Sequence, residues 1–234
     1  MKIVVFGANG PTGRQLVEQA LAAGHGVTAV TRDPARFPVP DGHDTSLLVV
    51  GADVHDADAV SSVVAGQDAV LSALGVPYGR QPITVYSDGA TNILAAMRMH
   101  GVRRFACVSS SALDPAAGPH GGFFFEKVLQ PFVVSVLGRQ LYADMRRMES
   151  IVTASDTDWT IVRPSGLFDA AAVSEYDYAE RYTPGAFTAR ADLANVLLRQ
   201  ATDEEFIRKI VAVSTTKGAP TVAQLMAREA FGKK

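Results

Sequence analysis

Three glycines at three-residue spacing, Gly7, Gly10 and Gly13, stand in the run KIVVFGANGPTGRQLVEQAL, between an apolar segment and a helix-forming one. Such spacing serves the holding of an anion on backbone amides. Gly7 allows a tight turn off a strand, Gly10 lets the main chain approach a pyrophosphate, and Gly13 lets the next helix pack closely on the sheet. The helix that starts near Thr12 aims the positive end of its dipole at the same point. Strand, glycines and helix in this order suit the phosphates of a dinucleotide.

A second group of residues bears on which dinucleotide. The segment GVTAVT ends in Thr31–Arg32, where an NAD-selective site places a carboxylate for the ribose diol. Arg32 reverses that charge and can grip a 2′-phosphate through a bidentate guanidinium, with Arg36 four residues on as a second cation. NADP(H) in preference to NAD(H) follows. Asp33 leaves an alternative open, since it can pair with Arg36 or face the ribose. Asp53 and Val54 in GADV, and Leu74 and Gly75 in SALG, follow two further apolar runs. They are either contacts to the adenosine or strand-end turn chemistry.

These residues need elements to position them. Strand-like runs cover Lys2–Phe6, Gly26–Thr31, Ser46–Gly51, Ala69–Ala73, Arg104–Ser109, Trp159–Arg163 and Lys209–Ser214. Helical patterns alternate with them over Thr12–Ala23, Ala57–Ala65, Ser87–His100, Leu141–Ala154 and Ala191–Gln200, with a last helix over Thr221–Ala230. Such alternation predicts an α/β fold: a Rossmann-type doubly wound parallel sheet in one domain, residues 1–234. Two stretches break it. Residues 112–140 begin with a Gly- and Pro-rich loop and carry Phe123, Phe124 and Phe125; residues 165–188 hold Phe168, Tyr176, Tyr178, Tyr182 and Phe187 among acidic residues. Both follow the carboxyl end of a strand, where open α/β sheets place ligands, and together they read as a small substrate lid. The second stretch reads equally as a surface insertion or a dimer contact.

Composition excludes several classes. A net charge of −2 gives no basic footprint for nucleic acid or an acidic membrane. No apolar run reaches the roughly 20 residues that span a bilayer, and no leader pattern opens the chain. Five scattered histidines show no metal-ligand spacing, so no metal is expected. The single cysteine, Cys107, lies between apolar neighbours and reads as a core thiol in a reducing cytoplasm. The expected partner is a small molecule, and the chain a monomer or homodimer.

The segments GANGPTG, DWTIVRPSGLF and TARADLANVLL resemble the NAD(P)-binding, NmrA-like branch of the atypical short-chain dehydrogenases/reductases. Within it, VTRDPARF, AGQDAVLSALG and SDGATNILAAMRMHGVRRFACVSS are similar to flavin reductase and biliverdin-IXβ reductase types. The resemblance implies that Gly7, Asn9, Gly10, Pro11, Thr12 and Gly13 form the phosphate loop and that Arg32 favours NADP. It implies that Asp53 and Val54 meet the adenine, and that Leu74 and Gly75 run under the ribose. A hydroxyl of the VSSS run, Ser111 or Ser109, would face the nicotinamide, and the loop containing Pro164 would meet its carboxamide.

The chain departs from the branch at the catalytic dyad. Active short-chain dehydrogenases carry Tyr-x-x-x-Lys, whose lysine lowers the phenol's pKa. Here the sequence offers Tyr142 and Arg146, one residue out of phase with the family position, which turns a side chain about 100° around the helix. Tyr142 is therefore either a proton donor or a packed tyrosine. A flat acceptor that takes hydride at a ring atom needs no such acid. The expected function is an NADPH-dependent oxidoreductase acting on a flavin, quinone or tetrapyrrole-like acceptor. Alternatives are a non-catalytic NmrA-like redox sensor and, less well matched, a sugar-nucleotide epimerase or dehydratase.

Overall fold

The computed structural model describes residues 1–40, 42, 45–77, 79, 81–114 and 138–220. Its elements in chain order are β1 (Lys2–Phe6), α1 (Pro11–Ala22), β2 (Gly26–Thr31), β3 (Leu47–Gly51), α2 (Ala57–Val64), β4 (Ala69–Ser72), α3 (Val85–His100) and β5 (Arg104–Val108). There follow α4 (Arg139–Thr153), β6 (Asp158–Pro164), β7 (Gly166–Phe168), β8 (Tyr176–Glu180), β9 (Phe187–Ala189), α5 (Arg190–Arg199) and β10 (Lys209–Thr215).

The main sheet has eight strands in the order β3-β2-β1-β4-β5-β6-β10-β8. All neighbours are parallel except β8, which runs antiparallel to β10. β1 is apolar on both faces because both are covered. Val4 and Phe6 join the layer that holds Val60, Ile93 and Met148 from α2, α3 and α4. Ile3 and Val5 join the layer of Leu16, Val17, Leu193 and Leu197 from α1 and α5. Burial of each such side chain is worth about 1.5–3 kcal/mol, which fixes the strand's register against both layers. The doubly wound parallel sheet is thus the one expected from the alternation of segments.

Connections are set by local chemistry. The Asp56 side chain accepts from the amides of Asp58 and Ala59 and starts α2. Gly101, at φ 70°, ends α3 in the left-handed conformation that glycine adopts without steric cost.

Residues 165–188, expected as a lid or a surface insertion, are organised by β7, β8 and β9. β7 pairs in parallel with β9, and the Thr188 hydroxyl donates to the Val213 carbonyl at 2.7 Å, tying this pair to β10. β8 is an edge strand of the main sheet. Tyr178 packs edge-on against Phe206 beneath the Arg199 guanidinium, and Tyr176 donates its hydroxyl to Asn195 of α5. These two tyrosines hold the sheet edge to α5 instead of waiting for a ligand. The lid proposed at 112–140, with Phe123 to Phe125, and the helix proposed at Thr221–Ala230 lie wholly or mostly outside the described residues.

Candidate cofactor cleft

The order β3-β2-β1-β4 reverses the chain's direction of travel across the sheet at β1, and a crevice opens above the carboxyl ends of β1 and β4. A cavity of about 600 Å³ occupies it. Gly7, Asn9, Gly10, Pro11 and Thr12 form its floor, Arg32 and Asp33 one wall, Asp53 and Val54 the far end, and Leu74 and Gly75 the opposite rim.

The floor is shaped by missing side chains. Gly7 sits at φ +76°, and a Cβ there would stand 2.6 Å from the Ala73 carbonyl oxygen. A Cβ on Gly13 would stand 2.1 Å from the Gly7 carbonyl oxygen, so α1 can rest on the loop only if position 13 is bare. Gly13 therefore packs beneath the floor and does not line it. Pro11 occupies the first turn of α1, where its missing N–H costs nothing. The Thr12 and Gly13 amides are left without intrahelical acceptors, as the first turn of any helix requires. Arg14 completes the loop: its Nε and Nη2 donate to Asn9 Oδ1 at 3.1 and 2.7 Å, and Nε also reaches the Asn9 carbonyl. The sequence reading missed this clamp, for which the five-residue spacing of Asn9 and Arg14 was the available signal. The cradle fits a pyrophosphate on its floor.

Arg32 stands at the end of β2 with no hydrogen bond or ion pair among the described residues, and it lines the cavity. Arg36 does not. It is 82 % exposed and lies 3.9 Å from Asp33, an arrangement that matches the pairing left open in the sequence. At the far end, Asp53 accepts from the His55 amide at 3.0 Å and from His55 Nδ1 at 2.8 Å. Those bonds, the backbone one foremost, hold its carboxyl below the usual range.

The residues expected to act on the nicotinamide are placed differently. Val108 lines the cavity, whereas Ser109, Ser111 and Pro164, just beyond it or on the neighbouring strand, do not. Ser109 is buried, and its hydroxyl has no hydrogen-bond partner among the described residues. Ser111 opens a short helical turn, Ser111–Leu113. Pro164 is buried at the end of β6 opposite Val213. Tyr142 sits in the core with Tyr86, Met145 and Met148, while Arg146 faces solvent. Of the two readings of Tyr142, its burial in the core accords with the packed tyrosine, and it does not line the cavity.

Near Ser109, Arg163 donates through Nε and Nη2 to both carboxylate oxygens of Glu149 at 2.9 and 2.6 Å, and Nη1 lies 3.4 Å from Asp114. Burial alone would make this guanidinium easier to deprotonate, but the two carboxylates outweigh it and raise its pKa. This bridge ties the loop after β5 to α4 and β6. The sequence reading also missed Leu167, Arg190 and Leu193, which line the cavity from β7 and α5. Leu167 comes from the stretch without a clear period, whereas Arg190 and Leu193 stand at and just inside the start of an expected helix.

Among the described residues no His, Cys, Asp or Glu side chains are grouped to hold a metal ion, and no helix is long and apolar enough to cross a membrane.

Fold and cleft together define a dinucleotide-binding α/β protein. The chain belongs to the NAD(P)H-binding family, whose model matches residues 7–204. An uncharacterized chloroplastic protein of Arabidopsis thaliana is 34 % identical over 71 % of this chain; the matched stretch spans 59 % of that protein's length. Among solved structures, a short-chain dehydrogenase/reductase of Veillonella parvula in complex with NADP matches with a TM-score of 0.74 at 18 % identity, over 93 % of this chain and 95 % of its own. The anaerobillin reductase ChuY of Escherichia coli O157:H7 matches with a TM-score of 0.71 at 20 % identity, over 94 % and 100 %.

Proposed function

We propose that this protein is an NADPH-dependent reductase of planar, conjugated acceptors of flavin, quinone or tetrapyrrole type. The carrying observation is the division of the cleft into two chemistries. The cavity wall carries Arg32 beside the α1 amides and also an apolar set, Val76, Pro77, Val85, Val108, Leu167 and Leu193. Among the described residues no tyrosine or lysine lines the cavity. An apolar chamber without a phenol suits a flat ring that accepts hydride at a ring atom, since solvent can deliver the proton.

When bound, NADPH would supply the hydride from C4 of its nicotinamide, two electrons moving with it. The residues of the chain bind, orient and exclude water. Gly7, Asn9, Gly10, Pro11 and Thr12 would receive the pyrophosphate, Arg32 the 2′-phosphate, Asp53 and Val54 the adenine, and Leu74 with Gly75 the adjacent ribose. Ser109 would offer its spare hydroxyl to the nicotinamide end, with Ser111 as the second candidate. The NADP complex of the Veillonella protein supports the cofactor assignment by fold. Purified protein mixed with NADPH and a panel of flavins and quinones is expected to lose absorbance at 340 nm with at least one acceptor. Silence with every member would overturn the reading.

The burial of Tyr142 favours a second reading, a redox sensor that binds the nucleotide without turnover. Tight nucleotide binding, silence with all acceptors, and capture of a partner in one redox state alone would establish it.

A further inference from the structure

Arg190, the first residue of α5, is with Arg32 one of two arginines that line the cavity among the described residues, and Leu167 and Leu193 line it too. Its backbone is held firmly: the Ala189 amide donates to Thr215 Oγ1 at 2.8 Å, and the buried Asp192 accepts from the amide and hydroxyl of Ser174 at 2.7 and 2.8 Å. Its side chain is 26 % exposed, and Nε donates to Asp169 Oδ1 at 2.7 Å. That bond uses one of five guanidinium donors and sets the plane of the fork. The other four have no hydrogen bond among the described residues, and they stand at a helix's amino end, where a cation is electrostatically misplaced. A half-buried guanidinium with spare donors, flanked by Leu167 and Leu193 and beside an apolar chamber, is complementary to an anion carried on an otherwise flat molecule.

We infer that Arg190 is the acceptor's anion seat and selects planar substrates bearing a phosphate or carboxylate over neutral ones of the same ring. The inference rests on the reductase reading of the cleft but is separable from it, because it concerns binding. The phosphates of the dinucleotide have their own receptors at the other end, in the α1 amides and Arg32.

The test uses the full chain saturated with NADP⁺, which cannot pass hydride, so turnover is not needed. Binding of FMN against riboflavin is followed by flavin fluorescence, and that of anthraquinone-2-carboxylate against 2-(hydroxymethyl)anthraquinone by calorimetry. The wild type is expected to bind the anionic member of at least one pair about 10- to 100-fold more tightly, the worth of a charge-assisted hydrogen bond. In R190Q that ratio should fall to near one. R190K, which keeps the charge without the fork, should recover part of it, and D169N, which keeps the acceptor oxygen but removes a negative charge beside the guanidinium, should leave the ratio at least as large as in the wild type. The pair that responds tells phosphate from carboxylate.

Equal binding of both members of each pair by the wild type, failure of all four to bind, or an unchanged ratio in R190Q would overturn the assignment. So would a loss of NADPH affinity in R190Q as large as the loss of FMN affinity, which would make Arg190 a cofactor contact. Preference for the anion in the complex, combined with silence toward every acceptor in the presence of NADPH, would sink the reductase reading and leave the seat standing.

Discussion

At the scale of single residues, the cleft depends on atoms that are absent and on charges that are unpaired. Gly13→Ala would drive a methyl group into the Gly7 carbonyl oxygen, 2.1 Å away, so the loop or α1 must move. A loss of about 1–3 kcal/mol in urea unfolding is expected, together with weaker NADPH binding by calorimetry. Arg32→Ser removes the proposed 2′-phosphate partner; the dissociation constant for NADPH should rise about 10- to 100-fold while that for NADH changes little. Cys107 makes a prediction of a different kind. Burial, with Glu149 adding to it, raises its thiol pKa well above the ordinary 9.0. The folded protein should ignore Ellman's reagent at pH 8 and react only on unfolding. Above pH 9 the unfolded chain loses a proton that the native one keeps, so this residue's contribution to stability declines as pH rises. The glycines and Arg32 were legible in the sequence because their chemistry is carried by near neighbours. Arg190 was not, because its meaning comes from a cavity whose other walls are brought to it from distant parts of the chain.

Elements show the same division. Helices and parallel strands with clear periods stand within a few residues of the positions their sequences indicate, as with β1 and α2. β7 and β9 were invisible because three residues carry no period and each finds its strand partner only in the other, about 20 residues away. β8 does alternate, in YDYAE, but the acidic surroundings masked it. The face of α4 was the harder question. Phase counting cast doubt on Tyr142, and the buried set Leu141, Tyr142, Met145, Met148 and Val152 gives the physical reason: the helix turns that tyrosine into the core. Asp144 on the same helix is fully buried and accepts from the amides of Tyr86 and Ser87 at the start of α3, and from the Ser87 hydroxyl. Asp144→Ala should cost about 2–4 kcal/mol in denaturant unfolding, since it orphans donors that no water reaches. Glu149→Gln leaves Arg163 without a full counter-charge in a buried site. It should destabilise by a comparable amount and loosen the loop that bears Ser109 and Ser111, read as faster hydrogen exchange there.

For the molecule as a whole, the reversal at β1 divides the sheet into a wing of β2 and β3, proposed to hold the adenosine, and a wing from β4 through β10, proposed to hold the nicotinamide and acceptor. A ligand laid across both wings stabilises their junction. Unfolding in the presence of NADPH at 100 times its dissociation constant should therefore require about 2.7 kcal/mol more than in its absence. A melting temperature unmoved by saturating nucleotide would contradict the proposed use of the cleft.

The excursion from Ser165 to Ala189 leaves the rim after β6, descends as β8 along the sheet's outer margin, and returns to the rim at β9. It contributes Leu167 to the cavity and delivers the chain to Arg190, the proposed acceptor contact, yet supplies nothing to the floor proposed to receive phosphates. On the proposed function, recognition of the electron donor and choice of its recipient are written in separate stretches of the polypeptide. Grafting this excursion, with Arg190, between relatives should reassign one without disturbing the other, so that a common engine can serve many cargoes.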